Sequence, residues 1–114
     1  MNNCIFCKII KGEIPSAKVY EDELCFSFKD INPQAPVHVL VVPKKHAASV
    51  LELCEDDKEL LGHIQLVIGK LANDLGVAET GFRVMTNCGR DACQSVAHLH
   101  YHLLGGVQMS EKMV

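Results

Sequence analysis

His98-Leu99-His100-Tyr101-His102 is the stretch that decides the fold, and it lies within the segment 94–106. Its histidines alternate with apolar residues, and strict alternation is the pattern of a β-strand. On a strand the three imidazoles share one face and the apolar side chains take the other. At about 3.3 Å of rise per residue, the first and last imidazoles stand roughly 13 Å apart, so the three cannot bind one ion. We therefore expect a row of imidazoles in which His100 is central and its neighbours have other tasks.

Two other interpretations of this stretch carry less weight. A helix would bring His98 and His102 together, as in zinc-protease helices, but it would turn His100 to the opposite side. Gly105-Gly106 follows soon afterwards and disfavours a helix. The histidines could instead fill the solvated face of an ordinary strand, although three imidazoles in five residues would be an unusual way to fill it.

The composition fits one globular domain that spans residues 1–114. Hydrophobic residues make up 48% of the chain, which is ample for one core. The formal charge is only −3, so the chain carries no basic footprint for nucleic acid or for an anionic membrane. The longest apolar run is far shorter than a membrane span, and the first residues lack the pattern of a signal peptide. We therefore expect a cytoplasmic protein with no membrane or nucleic-acid partner, whose six cysteines are reduced thiols.

Four segments besides the histidine row predict β-strands. Residues 18–20 and 24–29 predict a hairpin, and 81–87 predicts a further strand. Residues 37–42 are apolar on both faces, which is typical of a central strand. Together with the histidine strand, these segments predict a five-stranded, mostly antiparallel sheet.

One long helix is predicted beside this sheet. Apolar residues recur at helical spacing over residues 60–75, and Asp56 with Glu59 resembles a capping box at the start. Short helical pieces are expected at 4–11 and 47–54. The sequence therefore predicts an α+β fold with one long helix and short helices.

Four further residues have side chains that suit chemistry. Cys4 and Cys7 form a Cys-x-x-Cys pair that can bind half of a tetrahedral zinc site, although two small buried thiols are the alternative. His38 falls in the predicted central strand, where it is either a core imidazole or a neighbour of the histidine row. His63 has no motif around it, and we expect it to be partly exposed and structural.

The histidine row closely resembles the mark of the histidine-triad (HIT) superfamily, His-φ-His-φ-His-φ-φ with φ apolar, which residues 98–104 match. The resemblance extends over nearly the whole chain, through the opening Ile5-Phe6, the segments 28–36 and 37–46, and Gln94-Ser95-Val96. Within the superfamily, this combination is most similar to the histidine-triad nucleotide-binding proteins.

This resemblance implies an enzyme that acts on purine nucleotides. The implied activity is that of a nucleoside phosphoramidase-like hydrolase or nucleotidyl transferase, which binds AMP, GMP or adenosine conjugates and cleaves at the α-phosphate. A homodimer is implied in which each five-stranded sheet joins its partner's. No organic cofactor is implied.

Residue roles follow from the same resemblance. His100 is the implied nucleophile, and Asp30 binds the ribose hydroxyls. Apolar side chains wall the base pocket, namely Ile5, Phe6, Ile9, Phe28 and Ile31. Polar side chains contact the phosphate or the leaving group, namely Asn87, Gln94, Ser95 and His102. His102 or Ser95 is expected to protonate the departing amine, and His38 joins them and His100 as a catalytic candidate.

The chemistry of these residue types agrees with the implied roles. A neutral imidazole is a competent nucleophile at pH 7, and attack on the α-phosphorus gives a nucleotidyl-His100 intermediate that water resolves. His100 presents one nitrogen to phosphorus only if its other N–H is held, and a backbone carbonyl in the same strand is the expected acceptor. Donors such as Asn87, Gln94 and Ser95 suit the non-bridging oxygens. Asp30 and Asp91 lack the surrounding oxygen cage that magnesium requires, so no magnesium site is expected.

The resemblance also implies a metal site. Some members bind a structural zinc through a Cys-x-x-Cys pair, the histidine after Pro-Lys-Lys and the first histidine of the triad. All four positions are filled here, by Cys4, Cys7, His46 and His98. A Cys2His2 zinc would tie the N-terminal turn to the histidine strand, with vacant reduced thiols as the alternative.

One departure from the family pattern concerns the loop before Gln94. Members of this branch usually carry two glycines there, and this chain has Ala92-Cys93. Side chains at these positions restrict φ or crowd the phosphate. This departure keeps open a nucleotide-binding or interaction module with little turnover. Among enzymes, the alternative is hydrolysis of dinucleoside polyphosphates, as in another branch of the superfamily, and the Gln94-Ser95 context disfavours it.

Overall fold

A five-stranded antiparallel sheet forms the centre of the structure, a computed structural model that describes residues 3–114. Its strands are β1 (Lys18–Glu21), β2 (Cys25–Lys29), β3 (Val37–Pro43), β4 (Phe82–Met85) and β5 (Tyr101–Gly105). Their order across the sheet is β1-β2-β3-β5-β4, so β3 is central, as its apolar sequence predicts. The α+β fold with one long helix is confirmed, and no helix in the described part of the chain is long and apolar enough to cross a membrane.

The helices and turns lie around this sheet. The helices are α1 (Ile5–Ile10) and α2 (Lys58–Asp74), and short 3-10 turns span Val50–Glu52, Glu55–Asp57 and Arg90–Ala92. The helical piece predicted at 47–54 is therefore only one 3-10 turn. Because α1 has six residues, it is too short to be stable alone and depends on packing.

The two faces of the sheet have different partners. On one face, Val39, Val41 and Leu103 pack with the buried stripe of α2, which comprises Ile64, Val67, Ile68 and Leu71. On the other face, Leu40 and Val42 pack with aromatic residues, namely Phe6, Phe26 and Phe28. Leu40 pairs with His102 across β3 and β5, so the histidines share the aromatic face.

The capping box predicted from Asp56 and Glu59 is wrong. The Asp57 carboxylate instead accepts the backbone N–H of Cys54 at 3.0 Å, at the start of the 3-10 turn before α2. Its other oxygen lies 2.6 Å from the Lys45 ammonium. Asp57 rather than Asp56 is therefore the capping carboxylate, and it also pairs with Lys45 from a more distant part of the chain.

The histidine strand is shorter than predicted. β5 begins at Tyr101, and residues 98–100 lie outside the sheet. The reason is that side chains occupy the carbonyls there: Thr86 Oγ1 donates to the carbonyl of His100 at 2.7 Å, and the His100 ring donates to the carbonyl of His98 at 2.7 Å. Leu99 N–H donates to Ala47 O at 2.6 Å. The three imidazoles nevertheless remain on the aromatic face, since His98 and His100 both contact Phe6.

His63 has the structural role expected of it. It is partly buried, and its Nε2 lies 2.6 Å from Asp22 Oδ2 in the β1–β2 hairpin. Burial alone would raise the pKa of Asp22, but hydrogen bonds from Tyr20, Leu24, Cys25 and His63 outweigh it and hold that pKa far below its usual range. The pair ties α2 to the hairpin.

Candidate active site

A cavity of about 340 Å³ opens on the aromatic face of the sheet. Nine of the residues predicted to contact nucleotide line it, namely Ile5, Phe6, Ile9, Phe28, Asp30, Ile31, Ser95, His100 and His102. The remaining lining residues are Ile14, Pro15, Leu40 and Val96. The cavity therefore combines an apolar wall with a small group of polar side chains, which is the composition of a small-ligand site.

Sequence reasoning misses four lining residues for different reasons. Leu40 carries a usable signal, because period-2 alternation places it on the same face as His38. Val96 has a weaker signal, as the residue two before His98. Ile14 and Pro15 have none, because they belong to the loop after α1 and reach the cavity only through the fold.

His100 is positioned with one nitrogen free for chemistry. Its side chain is buried, and its ring meets Phe6 edge to face at a centroid distance of 5.0 Å. Nδ1 lies 2.7 Å from the carbonyl oxygen of His98. Since a carbonyl only accepts, Nδ1 carries the proton and Nε2 keeps its lone pair. The expected backbone acceptor is confirmed, although it lies just before the strand rather than within it.

His102 and His38 form a hydrogen-bonded pair behind Asp30. The backbone N–H of Gln34 donates to His38 Nδ1 at 3.0 Å, so the proton of neutral His38 lies on Nε2. This Nε2 is 2.9 Å from His102 Nδ1 and 3.4 Å from Asp30 Oδ2. His102 Nδ1 is therefore the acceptor, and its Nε2 carries the proton. His38 does not line the cavity itself, and it acts on the site through these two neighbours.

Burial lowers the pKa of His102 to about 4, and the nearby His100 and His38 contribute in the same direction, against Asp30. His102 is therefore neutral near pH 7. With its tautomer fixed by His38, it presents an uncharged N–H donor.

Gln94 has different contacts from those expected. Its amide nitrogen donates to Ala48 O at 2.7 Å and to Val96 O at 3.0 Å, and its amide oxygen accepts the N–H of Gly89 at 3.0 Å. Both amide hydrogens are thus used within the protein. In this structure Gln94 braces the loop that carries Ser95, and its contact with a phosphate stays a prediction. Asn87 also lies outside the cavity lining.

The backbone is left-handed at Cys93, one of the two positions where this chain departs from the two glycines of the family pattern. Cys93 has φ +61° and ψ +38°, and it is the only non-glycine residue with positive φ among residues 3–114. Ala92 lies in the preceding 3-10 turn. Position 93 is therefore a backbone site where glycine would be unstrained and cysteine is not.

The four residues expected to bind zinc come together at one end of the histidine row. Their ligand atoms all lie within 4.8 Å of one another. His98 Nδ1 is 3.3 Å from Cys4 Sγ and 3.6 Å from Cys7 Sγ, and His46 Nδ1 is 3.4 Å from Cys7 Sγ and 3.1 Å from His98 Nδ1. None of the six cysteines, all in the described part of the chain, forms a disulfide.

This donor set fits a tetrahedral zinc ion. With ordinary zinc bond lengths, a tetrahedron separates nitrogen from sulfur by about 3.6 Å and nitrogen from nitrogen by about 3.4 Å, which is close to the distances here. The Nε2 of His98 lies 2.9 Å from Pro43 O. That hydrogen bond puts the ring proton on Nε2 and leaves the Nδ1 lone pair for a metal, as second-shell acceptors do in zinc proteins.

Comparisons with known proteins agree with this architecture. The family model described as "Scavenger mRNA decapping enzyme C-term binding" matches residues 3–113. The 14 kDa zinc-binding protein of Zea mays is 51% identical over 108 residues, which cover 93% of this chain and 84% of that protein. The structure of a HIT family hydrolase from Clostridium thermocellum is 55% identical, with a TM-score of 0.96 over 100% of this chain and 99% of that one. The structure of a histidine triad nucleotide-binding protein from Candida albicans is 40% identical, with a TM-score of 0.81 over 98% and 87% of the two chains.

Proposed function

Because this chain belongs to the histidine-triad (HIT) family and has the fold of HIT family hydrolases, we propose that it is a purine nucleotide hydrolase or nucleotidyl transferase. Its substrates are nucleoside phosphoramidates or related AMP conjugates, which it cleaves at the α-phosphate. The observation that carries this proposal is the His100 ring, which lines the cavity together with Asp30, Ser95 and His102 and whose Nδ1 is bound to the His98 carbonyl.

Substrate binding divides between the two parts of the cavity. The purine base packs on the apolar wall that α1 and β2 supply, including Phe6 and Phe28. Asp30 is one of the polar side chains that line the cavity, and its carboxylate suits two vicinal ribose hydroxyls. The α-phosphate then meets Ser95, His100 and His102. The neutral N–H of His102 donates to a non-bridging oxygen, which stabilises the charge that develops in the transition state.

Cleavage proceeds in two displacements. His100 Nε2 attacks phosphorus, the phosphorus–nitrogen bond to the leaving group breaks, and the departing amine takes a proton that the Ser95 hydroxyl relays from solvent. Water then attacks phosphorus, the bond to Nε2 breaks, and the attacking water gives one proton to solvent, which balances the proton that left with the amine. The His98 carbonyl favours the first step, because it accepts a hydrogen bond from a ring that becomes cationic when Nε2 is nucleotidylated.

We propose that zinc is the resident metal of the Cys4, Cys7, His46 and His98 site. These four residues would supply all four donors of a tetrahedral ion and would leave no ligand position for substrate, so the ion would supply structural stabilisation rather than Lewis-acid chemistry. The zinc-binding relative from Zea mays supports this assignment.

We also propose that the protein is a homodimer in which β4 joins the sheet of a second copy. β4 is an edge strand, and its Phe82 and Met85 are 40% and 38% exposed. On α2, Leu66 is 77% exposed. An open sheet edge beside exposed apolar side chains is a suitable surface for strand pairing between copies.

Hydrolysis of an adenosine phosphoramidate by wild type, His100→Ala and His63→Gln tests the activity. His63→Gln is the matched control, since it removes a histidine outside the cavity. We expect wild type and the control to turn over, His100→Ala to be inactive, and a nucleotidyl adduct to be trapped by rapid denaturing quench and mass spectrometry only where His100 is present. Faster cleavage of a diadenosine polyphosphate would favour that alternative substrate class. AMP binding without turnover of either substrate by wild type would contradict the enzyme and leave a binding module.

A further inference from the structure

The metal site and the nucleotide cavity share structural elements at Phe6. This side chain lies in α1 between Cys4 and Cys7, and it is 6% exposed. Its ring meets the rings of His98 and His100 edge to face, at centroid distances of 5.9 Å and 5.0 Å. The same ring lines the cavity. One side chain therefore contacts a metal-binding residue, the proposed nucleophile and the space for the nucleotide.

His98 is a second connection between the two sites. Its ring is fully buried, with Nδ1 among the metal donors and Nε2 bound to Pro43 O. Its carbonyl accepts the hydrogen bond that orients His100. A change in the ligation of this ring would shift the backbone that holds the nucleophile.

Hydrogen bonds between two loops provide a third connection. Ala47 and Ala48 follow the metal-binding residue His46, and their carbonyls accept from Leu99 N–H at 2.6 Å and from Gln94 at 2.7 Å. The segment after His46 is therefore bound to the segment that carries the phosphate-facing residues. Close packing transmits displacement along such contacts.

We propose that the metal site and the nucleotide cavity are energetically coupled, so that zinc binding at the first raises the affinity of the second for nucleotide. The six-residue α1 supplies three residues of the apolar wall, and its Cys4 and Cys7 donors are its anchors to the metal. Thermodynamic reciprocity requires that nucleotide then raises the affinity of the protein for zinc by the same factor. This coupling rests on the proposed function, because that function makes a nucleotide the ligand of the cavity.

Titration of AMP into zinc-loaded wild type, Cys4→Ser and Cys54→Ser tests the effect of the metal. Cys54→Ser is the matched control, because Cys54 is an exposed thiol outside both sites. We expect AMP to bind zinc-free Cys4→Ser about tenfold more weakly than wild type, and to bind the control as it binds wild type. Metal content and circular dichroism are measured on each protein. Equal AMP affinity in folded, zinc-free Cys4→Ser overturns the coupling.

Zinc release from the wild-type holoprotein tests the reciprocal effect and does not require a stable zinc-free fold. A chromogenic chelator reaches the ion from the side of His46, which is exposed. We expect saturating AMP to raise about tenfold the chelator concentration that removes half of the zinc at equilibrium. An unchanged concentration overturns the coupling, as does a rise that only matches the effect of AMP on global unfolding followed by circular dichroism. If zinc-loaded wild type does not bind AMP at all, the proposed function fails and the coupling fails with it.

Discussion

Replacing Cys93 with glycine should stabilise the fold by about 0.5–1 kcal/mol. The φ of +61° at Cys93 costs a residue with a Cβ roughly 1–2 kcal/mol. Glycine removes this cost but gives the unfolded chain more freedom, which offsets about 0.4–1 kcal/mol of the gain. Cys93 is exposed, so few packing contacts are lost with its side chain. The relieved backbone strain exceeds the added entropy of the unfolded chain, so the glycine variant should be the more stable protein.

Ala92→Gly is the matched control for this prediction. Ala92 is the neighbouring residue in the 3-10 turn, and it is not among the residues with positive φ. Glycine there relieves no strain and still increases the freedom of the unfolded chain, so we expect a loss of about 0.4–1 kcal/mol. The two variants remove side chains at adjacent positions and should change stability in opposite directions.

Urea unfolding followed by circular dichroism measures both effects. With an m-value of about 1.5 kcal/mol per molar, the midpoint should rise by about 0.5 M for Cys93→Gly and fall by a similar amount for Ala92→Gly. Equal destabilisation by the two substitutions would refute the reasoning, because it would mean that residue 93 does not hold a left-handed conformation in solution. The m-values should match wild type, since neither change alters the surface exposed on unfolding.

Two further predictions concern the polar groups of the site. Gln94→Ala removes three hydrogen bonds to backbone groups and should lower the free energy of unfolding by about 1–3 kcal/mol. Gln34→Ala is the control, because it removes one exposed side-chain hydrogen bond and should cost far less. Equal urea midpoints for the two variants would contradict the bracing role of Gln94. Burial lowers the pKa of His102 to about 4, below its ordinary value of about 6.5 in the unfolded chain. Protonation therefore favours the unfolded chain, so wild type should lose stability as pH falls from about 6.5 to 4, by at most about 1.4 kcal/mol per pH unit from this group. His102→Gln should flatten that decline in urea midpoints measured across the same pH range, and an unchanged slope would mean that His102 is not the group responsible.

Elements that depend on short-range periodicity are the ones the sequence predicts well. Apolar residues on both faces predict the central position of β3, and helical spacing predicts α2, because each pattern reports which side chains one element can bury. The hydrogen bond from His100 to a backbone carbonyl is also predictable. It spans only two residues, and a nucleophilic imidazole requires it whatever the surrounding fold.

Two residues, Asp57 and Gln94, have contacts in the structure that differ from those predicted from the sequence. The capping carboxylate is Asp57 rather than Asp56, and Lys45, twelve residues away, also binds it. Gln94 carries donors that suit a phosphate, and no local pattern indicates that Ala48 O, 46 residues earlier in the chain, binds its amide instead. In both cases the residue type is compatible with either partner, so tertiary structure decides.

His98 combines a predictable and an unpredictable contact in one residue. Alternation places its ring on the face of His100 and His102, but the groups that meet the ring come from Cys4, 94 residues away, and from Pro43, 55 residues away. Its carbonyl, in contrast, acts on a residue two positions along the chain. Cys4 and Pro43 thus hold the ring of His98 in place, while the carbonyl of the same residue orients the ring of His100. A change in the distant partners would therefore reach His100 through a local contact, and this is the route by which we propose that the metal site affects how a nucleotide is held.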